Sequence, residues 1–171
     1  PKDNFISIRS NSKWCRGLGR RLGWIEAPEF VIEAMESIQN STILCPDTLS
    51  QMALTRYIEK SIENKTLKNY VMETSALYER AAKITFQSIK DNLPFPALHS
   101  EGGLYTCMRI EEDGAKFVEE VLRGCGVLLV PGRGFGHTLK NSVRISYGPL
   151  VNNLDKIQLG FEKIRNYINN V

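Results

Sequence analysis

Two hydroxyl residues stand before a lysine in Ser10-Asn11-Ser12-Lys13, and Gly19, Arg21 and Gly23 follow at the sixth, eighth and tenth places after it. A primary amine can condense with an aldehyde to form a Schiff base. Hydroxyl and guanidinium donors can hold a phosphate, the arginine by a planar two-point contact. One molecule carrying both an aldehyde and a phosphate would satisfy the whole set.

Pyridoxal 5′-phosphate carries both groups. It serves as an electron sink, while its protein supplies the lysine and the orientation. The surroundings of Lys13 suit such a role. Phe5, Ile6 and Ile8 stand in an alternating stretch that reads as a short strand, and Lys13 lies just beyond its end. Ligand-handling residues of open α/β sheets gather at such strand ends. Taken alone, however, a Lys/Arg pair is most often a pair of solvated surface charges.

The wider motif carries a resemblance. Ser10-Asn11-Ser12-Lys13, followed by Gly19, Arg21 and Gly23, resembles the lysine motif of the class I/II aminotransferases, which are fold-type I pyridoxal-phosphate enzymes. Far downstream, Leu128 to Gly136 and then Asn141-Ser142-Val143-Arg144-Ile145-Ser146 are similar to the family's Val-x-Pro-Gly-x-x-Phe-Gly and Arg-Ile-Ser pattern. Between them, Cys45 to Leu54 resembles a helix start of the family, and Glu101-Gly102-Gly103-Leu104-Tyr105 its glycine-rich strand entry. The order is preserved along essentially the whole chain.

The resemblance implies roles. Lys13 would form the Schiff base and, once freed, act as the general base. Ser10, Ser12 and Arg21 would contact the cofactor phosphate. Arg144 would grip the substrate α-carboxylate. The implied reaction moves an amino group between an amino acid and a 2-oxo acid. The implied fold is α/β: residues 1–75 as the end of the large cofactor domain, joined by a long helix to a small α+β domain over 76–171. The full-length parent would be a cytoplasmic homodimer. Several cofactor contacts that the family places upstream of the lysine have no counterpart here, so the chain reads as a C-terminal portion, expected to be inactive by itself.

Departures from the pattern are cationic. Arg16 stands where glycine or another small residue is usual, Arg20 where an aromatic or aliphatic residue is, and Arg133 where serine is common. The stretch from Ser37 to Cys45 contains no cation that could read a distal carboxylate, which weakens aspartate specificity by that route. A fold-type I lyase or decarboxylase would share Lys13, Arg21 and Arg144. A non-catalytic sensor domain is the other alternative, but such regulators usually set the phosphate arginine seven places after the lysine.

The elements that must position these residues read as follows. Residues 4–27 form a strand-turn-strand. Pro28 opens a helix, and Asp47 or Thr48 caps another. A long helix runs from Leu67 to Ile89. Leu104 to Ile110 is a strand, and Lys116 to Arg123 a helix stopped by Gly124 and Gly126. Val143 to Tyr147 is a strand, and Asn152 or Asn153 caps a last helix whose Leu154, Ile157, Phe161, Ile164 and Ile168 share a face. Tyr105 and Phe135 read as packing groups, with Phe135 a candidate for the substrate pocket lining.

Composition bounds the rest. The 171 residues carry a formal charge of +3, with no basic run to suggest nucleic acid and no apolar stretch of membrane-spanning length. The four cysteines show no Cys-x-x-Cys spacing, which favours reduced thiols over zinc or disulfides. Gly132, Gly134 and Gly136 mimic a dinucleotide loop, but a strand rather than a helix follows them.

Overall fold

The computed structural model describes residues 4–170, apart from the side chain of Leu18. Residues 1–3 and 171, which fall within the two domain ranges expected above, lie outside the described residues. The chain divides into two compact units with the boundary between Val71 and Met72.

The first unit opens with an antiparallel hairpin. Strands β1 (Ser7–Ser10) and β2 (Gly23–Glu26) pair Ser7 with Glu26 and Ser10 with Gly23. Asn11 extends the ladder by one bond, its N–H donating to the Leu22 carbonyl at 3.0 Å. Gly23 is required here, because a Cβ on it would stand 2.6 Å from the Arg9 carbonyl oxygen. The loop between the strands holds a four-residue helix, α1 (Asn11–Trp14), and a 3-10 turn over Leu18–Arg20.

Two longer helices follow, α2 (Glu29–Thr42) and α3 (Thr48–Glu63). Pro28 takes the N-cap of α2, one place before the helix proper. Asp47 caps α3. Its carboxylate accepts from both the N–H and the hydroxyl of Ser50, which hold its pKa below the usual value, the hydroxyl most strongly. Helix α4 (Leu67–Asn92) contains the unit boundary and runs three residues beyond the expected Ile89. Asn92 and Lys90 present no obstacle to helix, and the Pro94 that stops it lies further on.

The second unit is a three-stranded antiparallel sheet with helices. Strands β3 (Tyr105–Arg109), β4 (Val130–Pro131) and β5 (Ser142–Ser146) lie in the order β3-β5-β4. Helix α5 spans Gly114–Cys125 and α6 spans Leu154–Asn169. One face of the sheet buries Thr106, Met108, Val143 and Ile145, as the two-residue period of a strand requires. Against Met108, Val143 and Ile145 pack Ala81 and Ile89 of α4, Phe117, Val118 and Val121 of α5, and Ile157, Phe161 and Ile164 of α6.

Helix α5 starts two residues earlier and ends two residues later than the sequence suggests. Asp113 caps it, the carboxylate accepting from the Ala115 N–H at 2.8 Å. Gly124 does not stop the helix. It lies inside α5, where a Cβ would stand 2.1 Å from the Tyr167 ring, so its small size serves packing against α6. Gly126, at φ 72°, supplies the left-handed terminus. Asn153 is the N-cap of α6 but forms no side-chain cap bond. Among the described residues, no helix is long and apolar enough to cross a membrane.

Tyr147 is fully enclosed in this core, and its hydroxyl donates to the Gly103 carbonyl at 3.3 Å. Burial raises its pKa above the ordinary 10.0, and a weaker opposing effect comes from Ser100. The folded state therefore holds the phenolic proton more tightly than the unfolded chain. The stabilisation is complete below pH 10 and is lost as pH rises from there through the folded-state value. Tyr147→Phe is expected to flatten the alkaline fall in melting temperature. An unchanged slope would assign that fall to other groups.

Candidate functional site

Lys13 lies in the third position of α1 and is exposed. The turn that carries it is fixed from beneath by Asn11, which is 4% exposed. The Asn11 side-chain oxygen accepts from the Trp14 indole N–H at 2.7 Å. Its backbone carbonyl accepts from the Cys15 thiol at 2.9 Å and the Gly17 N–H at 3.3 Å. Tyr70 then donates its hydroxyl to the Trp14 carbonyl at 3.1 Å. These contacts hold the lysine backbone without touching its amine.

Ser10 caps α1, its Oγ accepting from the Ser12 N–H at 3.2 Å. Accepting leaves its own hydroxyl proton available to donate elsewhere. Ser10 and Arg21 are exposed, whereas Ser12 is buried. Arg21 follows the 3-10 turn at φ 52°, just before the Leu22 carbonyl that bonds Asn11. One hairpin thus brings together Ser10, Ser12, Lys13 and Arg21. Arg16 adopts φ 55°, in the left-handed region where glycine is at ease. That accounts for the small residue usual at this place, and holding an arginine there costs about 1–2 kcal/mol.

Arg144 belongs to the second unit. It stands on central strand β5, opposite Cys107 of β3 and Val130 of β4. Its neighbours Val143 and Ile145 point into the core, so strand alternation sends Arg144 to the other face. There its guanidinium carbon lies 4.4 Å from the Tyr105 ring centroid and 4.6 Å from that of Phe135. Among the described residues, its Nε is the side-chain nitrogen that is both buried and without a hydrogen-bond partner. No acidic residue pairs with it among the ion pairs of the described residues.

Sequence reasoning missed Asn11 as the residue that organises the lysine turn. The available signal was Trp14 three residues on, at a spacing that places two helical side chains together. It also missed the stacking of Tyr105 and Phe135 on Arg144. Among the described residues, no group of three or more His, Cys, Asp or Glu side chains could hold a metal ion.

Comparison with known proteins identifies the family and the fold. Residues 1–157 match the family described as aminotransferase class I and II. The (5-formylfuran-3-yl)methyl phosphate transaminase of Methanocaldococcus jannaschii is 30% identical over 98% of this chain and 43% of its own length. Aromatic-amino-acid aminotransferase 2 of Thermococcus litoralis is 29% identical over 95% of this chain and 41% of its own. The crystal structure of an aromatic aminotransferase from Pyrococcus horikoshii superposes with a TM-score of 0.83 at 26% identity, covering 98% of this chain and 44% of that one. The chain therefore spans about two fifths of the length of these relatives, and its fold is α/β as theirs is. It belongs to the aminotransferase class I and II family.

Proposed function

We propose that this chain is the C-terminal portion of a pyridoxal-phosphate-dependent aminotransferase, which moves an amino group between an amino acid and a 2-oxo acid. In this reading residues 1–75 end the cofactor-binding domain, residues 76–171 form the small domain, and α4 joins them. The whole protein would work as a homodimer in the cytoplasm, a setting that suits its unpaired cysteines.

The residues present fit the cofactor. The single hairpin that presents an amine, a hydroxyl and a guanidinium is the observation that carries the reading. Those groups match an aldehyde and a phosphate on one molecule. Lys13 would hold the aldehyde end through its amine. The Ser10 hydroxyl and the Arg21 guanidinium would hold the phosphate, with Ser12 supporting Ser10 through its backbone N–H. When bound, the cofactor supplies an electron sink for the negative charge that develops at the substrate α-carbon.

The other tasks fall to the chain itself. Arg144 binds the substrate carboxylate through its planar fork and so orients the α-carbon. Lys13 Nζ takes up and returns the substrate's α-proton, as a general base and then a general acid. Arg21 and Ser10 keep the phosphate in place while the lysine amine is free.

The test is chemical labelling. A protein of the relatives' full length that contains this chain is incubated with pyridoxal 5′-phosphate, reduced with borohydride and mapped by mass spectrometry. A phosphopyridoxyl adduct on Lys13 is expected. No adduct, or one spread over other lysines, would overturn the proposal.

A further inference from the structure

We propose that Tyr105 and Phe135 are positioning residues for Arg144, forming an aromatic clamp that orients its guanidinium toward a carboxylate without neutralising it. The inference rests on the carboxylate role proposed above for Arg144. It adds a reason why that arginine stays both fixed and available.

The two rings come from separate elements. Tyr105 opens β3 and pairs with Ser146, so on the sheet it is the diagonal neighbour of Arg144. Long and aromatic side chains reach one another across such diagonals. Phe135 ends the 3-10 turn Gly132–Phe135 that follows β4. Gly136, at φ 144° and ψ 154°, then takes a conformation open to glycine alone and lets the chain turn back. Both rings thus reach the guanidinium carbon, at 4.4 Å and 4.6 Å.

A carboxylate neighbour could also hold an arginine, but it would compete with a carboxylate ligand. Aromatic rings attract the cation through their quadrupole and leave its charge in place. A guanidinium is weakly hydrated on its faces, so covering them costs little, while its N–H groups point outward in the plane. The buried, unpartnered Nε narrows the choice further. Recognition passes to the two terminal nitrogens, which can take a carboxylate end-on by parallel hydrogen bonds. Phe135 is 53% exposed, more than a residue needed only to fill a core.

The experiment uses the full-length protein loaded with cofactor, L-glutamate as the amino donor, and four clamp variants. Tyr105→Leu and Phe135→Leu are each expected to raise KM about tenfold, between the scales of an exposed and a desolvated cation–π contact, with kcat within about twofold. Tyr105→Phe and Phe135→Tyr keep a ring and are expected to retain the original KM. Arg144→Gln separates the two claims. If it raises KM and the leucine variants do not, the clamp is wrong and the carboxylate role stands. If it leaves KM unchanged, the carboxylate role itself fails. A measurement on the unmodified protein guards against variants that fail to fold. The Arg144 Nε–H proton is expected to be shifted upfield by ring currents and slow to exchange with solvent. An ordinary shift with fast exchange would overturn the clamp.

Discussion

A full-length protein carrying Lys13→Ala is expected to lose transamination by about 10,000-fold or more, at or beyond the upper end of what one general base contributes. Two losses would coincide in this variant, because the proposed function gives the same nitrogen both the cofactor to hold and the substrate proton to move. Lys13→Arg is expected to be as inactive. Its charge and length are similar, but a guanidinium stays protonated and offers no free amine. The fold around the residue gives reason to expect intact protein in both cases. Lys13 is exposed, and Asn11, Trp14 and Tyr70 hold the turn that carries it. Melting temperature and cofactor content would be measured beside the rate. A Lys13→Ala protein that is folded, loaded and within tenfold of the original rate would remove the lysine from the mechanism.

What could be read from the chain was what is local. Ser10, Lys13 and Arg21 lie within twelve residues, and one hairpin turn suffices to gather them. Alternation of apolar and polar residues points to the strand that becomes β1, and the shared face of Leu154, Ile157, Phe161, Ile164 and Ile168 to α6, because a regular repeat of side chains along one face marks each element. The misreadings also have physical causes. Gly124 reads as a stop because glycine so often terminates helices. Its reason for being small lies 43 residues away on the Tyr167 ring, which no local pattern reveals. The extra length of α5 at its start depends on Asp113, a cap hidden in an acidic run. The aromatic pair on Arg144 was the least legible feature. Tyr105 and Phe135 come together only because β5 enters between β3 and β4, and that strand order is not a property of any short segment.

Gly132→Ala is expected to destabilise the protein by about 3 kcal/mol, the upper part of the range for forced overpacking. A Cβ at this position would stand 2.2 Å from the Ser142 hydroxyl oxygen, 2.4 Å from the Leu139 carbonyl oxygen and 2.7 Å from the Ser142 carbonyl oxygen. Two of these three atoms are backbone, so rotation of one side chain cannot relieve the clash. Displacing the Ser142 hydroxyl would also break its 2.7 Å bond to the Leu139 carbonyl. The consequence reaches the site by two routes. Gly132 begins the turn that delivers Phe135, and Ser142 shares a face of β5 with Arg144 two residues on. Folded Gly132→Ala protein is therefore expected to bind amino acids more weakly as well as to melt earlier. Gly134→Ala is the matched control, since nothing lies within 4 Å of its Cβ position. If both variants melt at the same temperature, the close approach of Gly132 to β5 does not exist in solution. If Gly132→Ala alone melts early yet keeps its substrate affinity, the turn contributes to stability and Arg144 is held without it.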